Sequence, residues 1–244
     1  MTKNRNWYID WFNSPYYHIL YKDRNKEEAE LFINNLISYL KIIKGSKLID
    51  IACGKGRHAT YLNKRGLDVI GYDLSINSIK YAKKYENKTL KFYVHDMRKV
   101  LKKDHFEYAT NLFTSFGYFE NEKDEQITIN AMAGNLKNEG TLIIDFMNTK
   151  KVISNLINFE NKEINCINFK IERSVHKKNI IKNIKFSDNG KDYIYNEQVR
   201  ALTLDDFYNL ITKAKLKIID IFGNYQLDNF NAKTSDRLII ICKK

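Results

Sequence analysis

The segment Leu48-Ile-Asp50-Ile-Ala52-Cys53-Gly54-Lys55-Gly56-Arg57-His58-Ala59 constrains this chain more than any other. An apolar run of buried-strand character ends in an acidic residue, passes through a turn of small residues and opens a helix over 59–64. Glycines at such a turn let backbone come close to a ligand, and the helix N-terminus faces it with unpaired N–H groups. The unit is a nucleotide-binding element. Gly54-x-Gly56-x-x-Ala59 fits the dinucleotide fingerprint, in which a pyrophosphate sits on the helix end, but a lone match of that pattern is weak. Asp50 speaks for a different ligand, because a carboxylate at the strand end repels a pyrophosphate and suits an amino-acid ammonium.

Two later strand ends decide between these readings. Asp68-Val-Ile-Gly-Tyr-Asp73 is a short strand closed by a carboxylate placed to accept both hydrogen bonds of a ribose diol. Leu90-Lys-Phe-Tyr-Val-His95-Asp96-Met97 is another, with Asp96 able to accept from an exocyclic adenine amine and Met97 able to pack on the ring. In that order these residues resemble the class I S-adenosylmethionine-dependent methyltransferases. Phe106-Glu-Tyr-Ala-Thr-Asn-Leu112-Phe113 resembles the family's fourth strand, and Gly140-Thr-Leu-Ile-Ile-Asp145 its fifth. Taken singly, a glycine turn or a strand-end aspartate is a common structural feature; the set of four strand ends is far more specific.

The resemblance implies an α/β fold with a seven-stranded, mostly parallel Rossmann-like sheet, and S-adenosylmethionine as cofactor with S-adenosylhomocysteine as product. It implies a cofactor seat made by Asp50, Ala52, Cys53, Gly54, Gly56 and His58, by Asp73 and Leu74, by Asp96 and Met97, and by Leu112 and Phe113. Similar enzymes recruit N-terminal residues to the methionine end, which points to Tyr17, Tyr21 and Arg24; Arg24 is equally suited to capping the next helix. One position departs from the pattern. Ala52 replaces the first glycine of the usual triplet, a change that is tolerated unless the backbone there needs positive φ.

Outside that core the chain has two additions. Residues 1–40 form a lid rich in aromatic residues, in which Trp7/Trp11 and Tyr8/Phe12 are i,i+4 pairs of a short helix that Pro15, the only proline, interrupts. An amphipathic helix follows over 27–40. The core occupies 41–150 and 202–244, with a helix over 121–136 and another behind Thr203, a candidate N-cap with Asp206 third in the helix. Residues 151–201 read as an insert of three antiparallel strands, the last two joined at Asp188-Asn189-Gly190. Such additions cover the crevice, so Trp11, Thr114, Ser115, Phe116, Tyr118 and Asn148 are the expected substrate-lining residues.

With 43% apolar residues in 244, the chain has material for a substantial core. Cys53, Cys166 and Cys242 show neither a disulfide framework nor zinc spacing, which fits a reducing cytoplasm. The N-terminus lacks the apolar core of a signal peptide, and no stretch approaches the roughly 20 apolar residues of a membrane span. A net charge of +12 raises a nucleic-acid partner, but the lysines are scattered and come with excess Ile, Asn and Tyr, so a solvated basic surface is the preferred reading. Arg173, Arg200 and Arg237 are candidates for an acidic substrate.

Methyl transfer from a sulfonium needs in-line positioning more than acid–base help, and a base only where the acceptor starts protonated. His95, Tyr118 and Tyr21 are the candidate catalytic groups, none of them assigned. Methylation of base amines in this fold uses an acidic or Asn residue, two prolines and an aromatic after the fourth strand; here that place reads Asn111-Leu-Phe-Thr. The expected acceptor is therefore a small molecule, at O, N or C, and the protein a monomer or homodimer. A tRNA or rRNA methyltransferase, a cofactor-binding protein without turnover, and a nicotinamide dehydrogenase are the alternatives.

Overall fold

The computed structural model describes residues 7–21, 26–119 and 121–244. Three helices come first: α1 (Trp7–Asn13), α2 (Pro15–Leu20) and α3 (Lys26–Tyr39). Pro15 does not merely interrupt the leader. It occupies the first position of α2, where a missing N–H is harmless, behind Ser14, whose hydroxyl accepts from Tyr16 N–H.

Strands and helices then alternate as β1 (Lys47–Ile51), α4 (Arg57–Lys64), β2 (Asp68–Asp73), α5 (Ile76–Ala82), β3 (Leu90–Val94), β4 (Phe106–Asn111), α6 (Glu122–Asn135) and β5 (Leu136–Met147). After α7 (Thr149–Ser154) come β6 (Phe159–Ile164), β7 (Ile167–His176), β8 (Asn179–Asp188) and β9 (Lys191–Arg200). The chain closes with α8 (Leu204–Lys213), β10 (Lys217–Phe222) and β11 (Arg237–Lys243). Thr203 and Asp206 form a reciprocal capping box at the start of α8.

The main sheet has seven strands in the order β10-β11-β5-β4-β1-β2-β3. β11 runs antiparallel to both its neighbours, while the β5-β4-β1-β2-β3 pairs are parallel. This is the Rossmann-like methyltransferase fold. Its apolar cores lie on the sheet's two faces, one built on Ile51, Phe106, Phe146 and Phe207, the other on Leu48, Val69, Phe92 and Leu62. The chain winds outward from β1 to β3 and then crosses back to β4 beside β1. That reversal opens a crevice outside the carboxyl ends of β1 and β4, where α/β sheets bind ligands.

The insert is a four-stranded antiparallel meander, β6-β7-β8-β9, rather than the expected three strands. The reason lies at Asn165 and Cys166, which both adopt left-handed backbone (φ 51° and 60°) and make a two-residue turn inside what reads as one apolar run. β6 ahead of it carries Glu160, Lys162 and Glu163, which hides its strand character. The insert's inner face packs against the leader rather than the main sheet: Trp11 and Leu20 share a core with Phe169, Ile171, Ile184 and Phe186. Asp188 Oδ2 accepts from Tyr16 Oη at 2.7 Å, and Glu197 accepts from Trp11 Nε1 at 2.5 Å and from Tyr21 Oη at 2.7 Å. On the opposite side Asn13 Oδ1 accepts from Ser75 Oγ at 2.7 Å. The leader therefore spans the crevice from the start of α5 to the insert. Among the described residues no helix is long and apolar enough to cross a membrane.

Candidate functional site

The turn after β1 is built by local backbone demands. Gly54 (φ 56°) and Gly56 (φ 81°) use the left-handed region, and Ala52 (φ 59°) does so without being glycine. The positive φ that the missing glycine would have eased is thus present, at a strain of about 1 kcal/mol. A Cβ on Gly54 would meet nothing within 4 Å, so the turn leaves open space beside its backbone. Asp73, from the end of β2, holds the turn in place: its Oδ2 accepts from Gly54 N–H at 2.9 Å and its Oδ1 from Ser75 N–H at 2.8 Å. Burial raises the Asp73 carboxyl above its ordinary value, against those N–H groups.

Asp50 lies beneath the turn, only 2% exposed. Its Oδ1 accepts from Thr110 Oγ1 at 3.0 Å, and its Oδ2 has no partner among the described residues. Burial pushes its carboxyl up to about 7, with the Thr110 hydroxyl acting partly against it. Cys53 is buried next to these acids, which keeps its thiol protonated and unreactive.

Above the turn is a cavity of ≈ 390 Å³. Ala52, Cys53 and Gly54 line its floor, with Asp73 and Leu74, Asp96 and Met97, and Leu112 and Phe113 from the neighbouring strand ends. Asp96 is gripped by its neighbour, as Arg98 Nε and Nη2 donate to Oδ2 at 3.0 and 2.6 Å. Burial alone would raise the Asp96 carboxyl, but hydrogen bonds from the Arg98 side chain and backbone outweigh it and hold it below its usual value. His95 also faces the cavity, and its Nε2 donates to the Lys99 carbonyl at 3.0 Å, which fixes its tautomer.

Aromatic side chains form the cavity's other wall: Tyr8, Phe12, Tyr17 and Tyr21 from the leader, and Tyr118 and Phe119 from the segment after β4. Tyr118 packs edge-on against Trp7 and Phe12 at 5.9 and 5.3 Å. Tyr21 is held by Glu197 and by Lys182 Nζ, and burial followed by the Glu197 charge raises its hydroxyl pKa well above the ordinary value. His58, Thr114 and Ser115 also line it, as do His18, Lys55, Arg57, Tyr72, Ser78 and Arg98.

Several expected residues lie elsewhere. Trp11 is fully buried against the insert, Phe116 is in the core around α8, and Asn148 donates to the Ala232 and Ser235 carbonyls at 3.0 and 2.8 Å. Gly56 and Asp50, both expected in the cofactor seat, are outside the lining: a Cβ on Gly56 would come within 2.7 Å of the Phe92 ring, and Asp50 is buried beneath the turn. The three candidate arginines are all paired within the protein, Arg173 with Glu160, Arg200 with Glu122 and Arg237 with Asp145. Arg24 falls outside the described residues. Sequence reasoning missed Arg98, whose only signal was its position two residues beyond Asp96. It also noted the Tyr8/Phe12 pair without seeing that this side of α1, rather than Trp11, faces the cavity.

A mostly parallel sheet with this strand order, a glycine turn and strand-end acids around one crevice define a class I S-adenosylmethionine-dependent methyltransferase. The chain matches the methyltransferase-domain family over residues 42–215 and belongs to it. It is 24% identical over 250 aligned positions to a glycine/sarcosine N-methyltransferase of Aphanothece halophytica, covering 98% of this chain and 91% of that one. Its fold superposes on an S-adenosylmethionine-dependent methyltransferase from Clostridium acetobutylicum with a TM-score of 0.79, at 19% identity and over 93% and 95% of the two chains. The sugar N-methyltransferase KedS8 from Streptoalloteichus sp. gives a TM-score of 0.73 at 16% identity, over 93% and 92%.

Proposed function

We propose that this enzyme methylates an amine nitrogen of a small acceptor enclosed between the leader and the 112–119 segment; no residue of the insert lines that cavity, and the insert acts through the leader it packs against rather than as a direct cover. The observation that carries the reading is the aromatic wall of Tyr8, Phe12, Tyr17, Tyr21, Tyr118 and Phe119 closing over the same cavity whose floor is the Gly54 turn. When bound, S-adenosylmethionine supplies an activated methyl group on a sulfonium that leaves readily. The residues present fit it. Open space at Gly54 admits a ligand against the backbone, and Asp73 is placed to accept from ribose hydroxyls. Met97 would offer a soft face to adenine beside Asp96, and Leu112, Phe113 and Tyr17, which line the same cavity, would hold the methionine end. Asp50 lies beneath the turn and outside the cavity lining; an ammonium reaching its buried Oδ2 would favour the charged form of the carboxyl.

The chain's remaining work is to exclude water and orient the acceptor. An amine becomes cationic as its new N–C bond forms, and ring faces stabilise such a cation by about 0.5–2 kcal/mol. Tyr21 and Tyr118 can orient the acceptor through their hydroxyls. The names of the Aphanothece halophytica and KedS8 relatives, both N-methyltransferases, support the same acceptor atom. The test is transfer of a labelled methyl group to small amines, including glycine, sarcosine and amino sugars, against matched alcohols and against total RNA. Label in amines supports the reading, and label found only in alcohols or only in RNA overturns it.

A further inference from the structure

Two consecutive non-glycine residues in the cavity wall, Phe113 and Thr114, hold left-handed backbone at φ 59° and 58°. L-residues adopt this conformation under strain and keep it only where surrounding groups enforce it. The enforcing groups lie outside the cavity. Asp145, fully buried at the end of β5, accepts from Phe113 N–H through Oδ2 at 2.9 Å, and its backbone carbonyl accepts from Thr114 N–H at 2.9 Å. Arg237 at the start of β11 donates from Nε to Asp145 Oδ1 at 2.7 Å and from Nη2 to Thr114 Oγ1 at 3.0 Å. Tyr225, from the loop between β10 and β11, donates to Asp145 Oδ2 at 3.1 Å and stacks on the Phe113 ring at 5.7 Å.

We propose that Arg237, Asp145 and Tyr225 are positioning residues that clamp the Phe113–Thr114 backbone where it meets the methionine end of the cofactor. Through them the β10–β11 hairpin, none of whose residues lines the cavity, tunes cofactor binding. Each contact has a distinct part. The guanidinium fork ties the strained segment to the sheet through two N–H groups in fixed geometry, which a lysine cannot reproduce. The Tyr225 hydroxyl fills the second acceptor direction of Oδ2, and its ring sets the plane of Phe113. The proposal rests on the cofactor seat described under the proposed function.

The test is calorimetric titration of the intact chain with S-adenosylhomocysteine, paired with thermal unfolding, for Arg237→Lys, Tyr225→Phe, Asp73→Asn and Phe106→Leu. Phe106→Leu serves as a core change at the start of β4, at the strand end opposite the crevice. The expected result is affinity lost about tenfold or more in Arg237→Lys and severalfold in Tyr225→Phe, with Phe106→Leu within about twofold of wild type at a similar or larger fall in Tm. Affinity that stays at the wild-type value in both clamp variants while Asp73→Asn weakens it overturns the clamp and leaves the cofactor seat standing. Unchanged affinity in Asp73→Asn as well overturns the seat itself. Should Arg237→Lys fail to fold, Tyr225→Phe, which removes one hydroxyl and keeps the ring, decides the matter alone.

Discussion

Gly56 and Asp50 show two ways in which single residues set the properties of the turn. Gly56 combines a left-handed φ of 81° with a Phe92 ring atom 2.7 Å from where a Cβ would sit. Gly56→Ala is expected to destabilise the chain by about 1–3 kcal/mol, read from urea unfolding, because either the ring or the turn must move. Asp50 carries a carboxyl pushed up to about 7 by burial, above its unfolded value, so the fold binds a proton that the unfolded chain releases. The stability from that proton is full below the unfolded pKa and is lost as pH rises through about 7. Unliganded wild type should therefore weaken between these limits by at most about 1.4 kcal/mol per pH unit from this group, with Asp73 acting in the same direction. Asp50→Asn should flatten that part of the profile, measured as urea midpoint against pH; an identical slope in both proteins would refute the assignment.

At the scale of elements, the leader walls the cavity and packs against the insert, which stabilises it. Trp11 is fully buried there, and its indole N–H has Glu197 as acceptor. Trp11→Phe keeps the apolar contact but leaves that carboxylate short of a donor, at about 1–3 kcal/mol. Amide exchange over 7–21 should accelerate roughly tenfold or more while β1, β4 and β5 keep wild-type protection. Equal acceleration in the main sheet would mean that lid and core unfold as one unit. The legibility of these elements followed their local signals. Thr203 with Asp206, and Asp188-Asn189-Gly190, carry cap and turn chemistry that acts over a few residues, and both stand where the sequence put them. β6 was missed because its charged residues give no alternation and its turn at Asn165-Cys166 contains no glycine.

For the whole molecule, the crevice joins strand ends far apart in sequence with a lid and an insert that share a separate core. A ligand there that binds the fold and not the unfolded chain must stabilise the whole. S-adenosylhomocysteine at 100 times its Kd should add about 2.7 kcal/mol, seen as a Tm rise of about 5–11 °C, whereas NAD should leave Tm unmoved. A shift with the dinucleotide alone would return the Gly54-x-Gly56 motif to its other reading.

The sequence by itself determined the sheet, its glycine turn and the acids at the strand ends, because apolar period, turn chemistry and strand-end charge are written within a few consecutive residues. Asp73, Asp96 and Phe113 could be found that way. Only the tertiary structure decided which face of α1 looks into the cavity, and that Arg237 serves Asp145 rather than a substrate. Both depend on contacts between residues about 90 to nearly 190 positions apart, Arg237 with Asp145 and Trp11 with Glu197. A local pattern shows that a helix has two usable faces, or that an arginine needs a partner. Which neighbour satisfies it is settled by packing between distant elements, and no spacing in the chain records that.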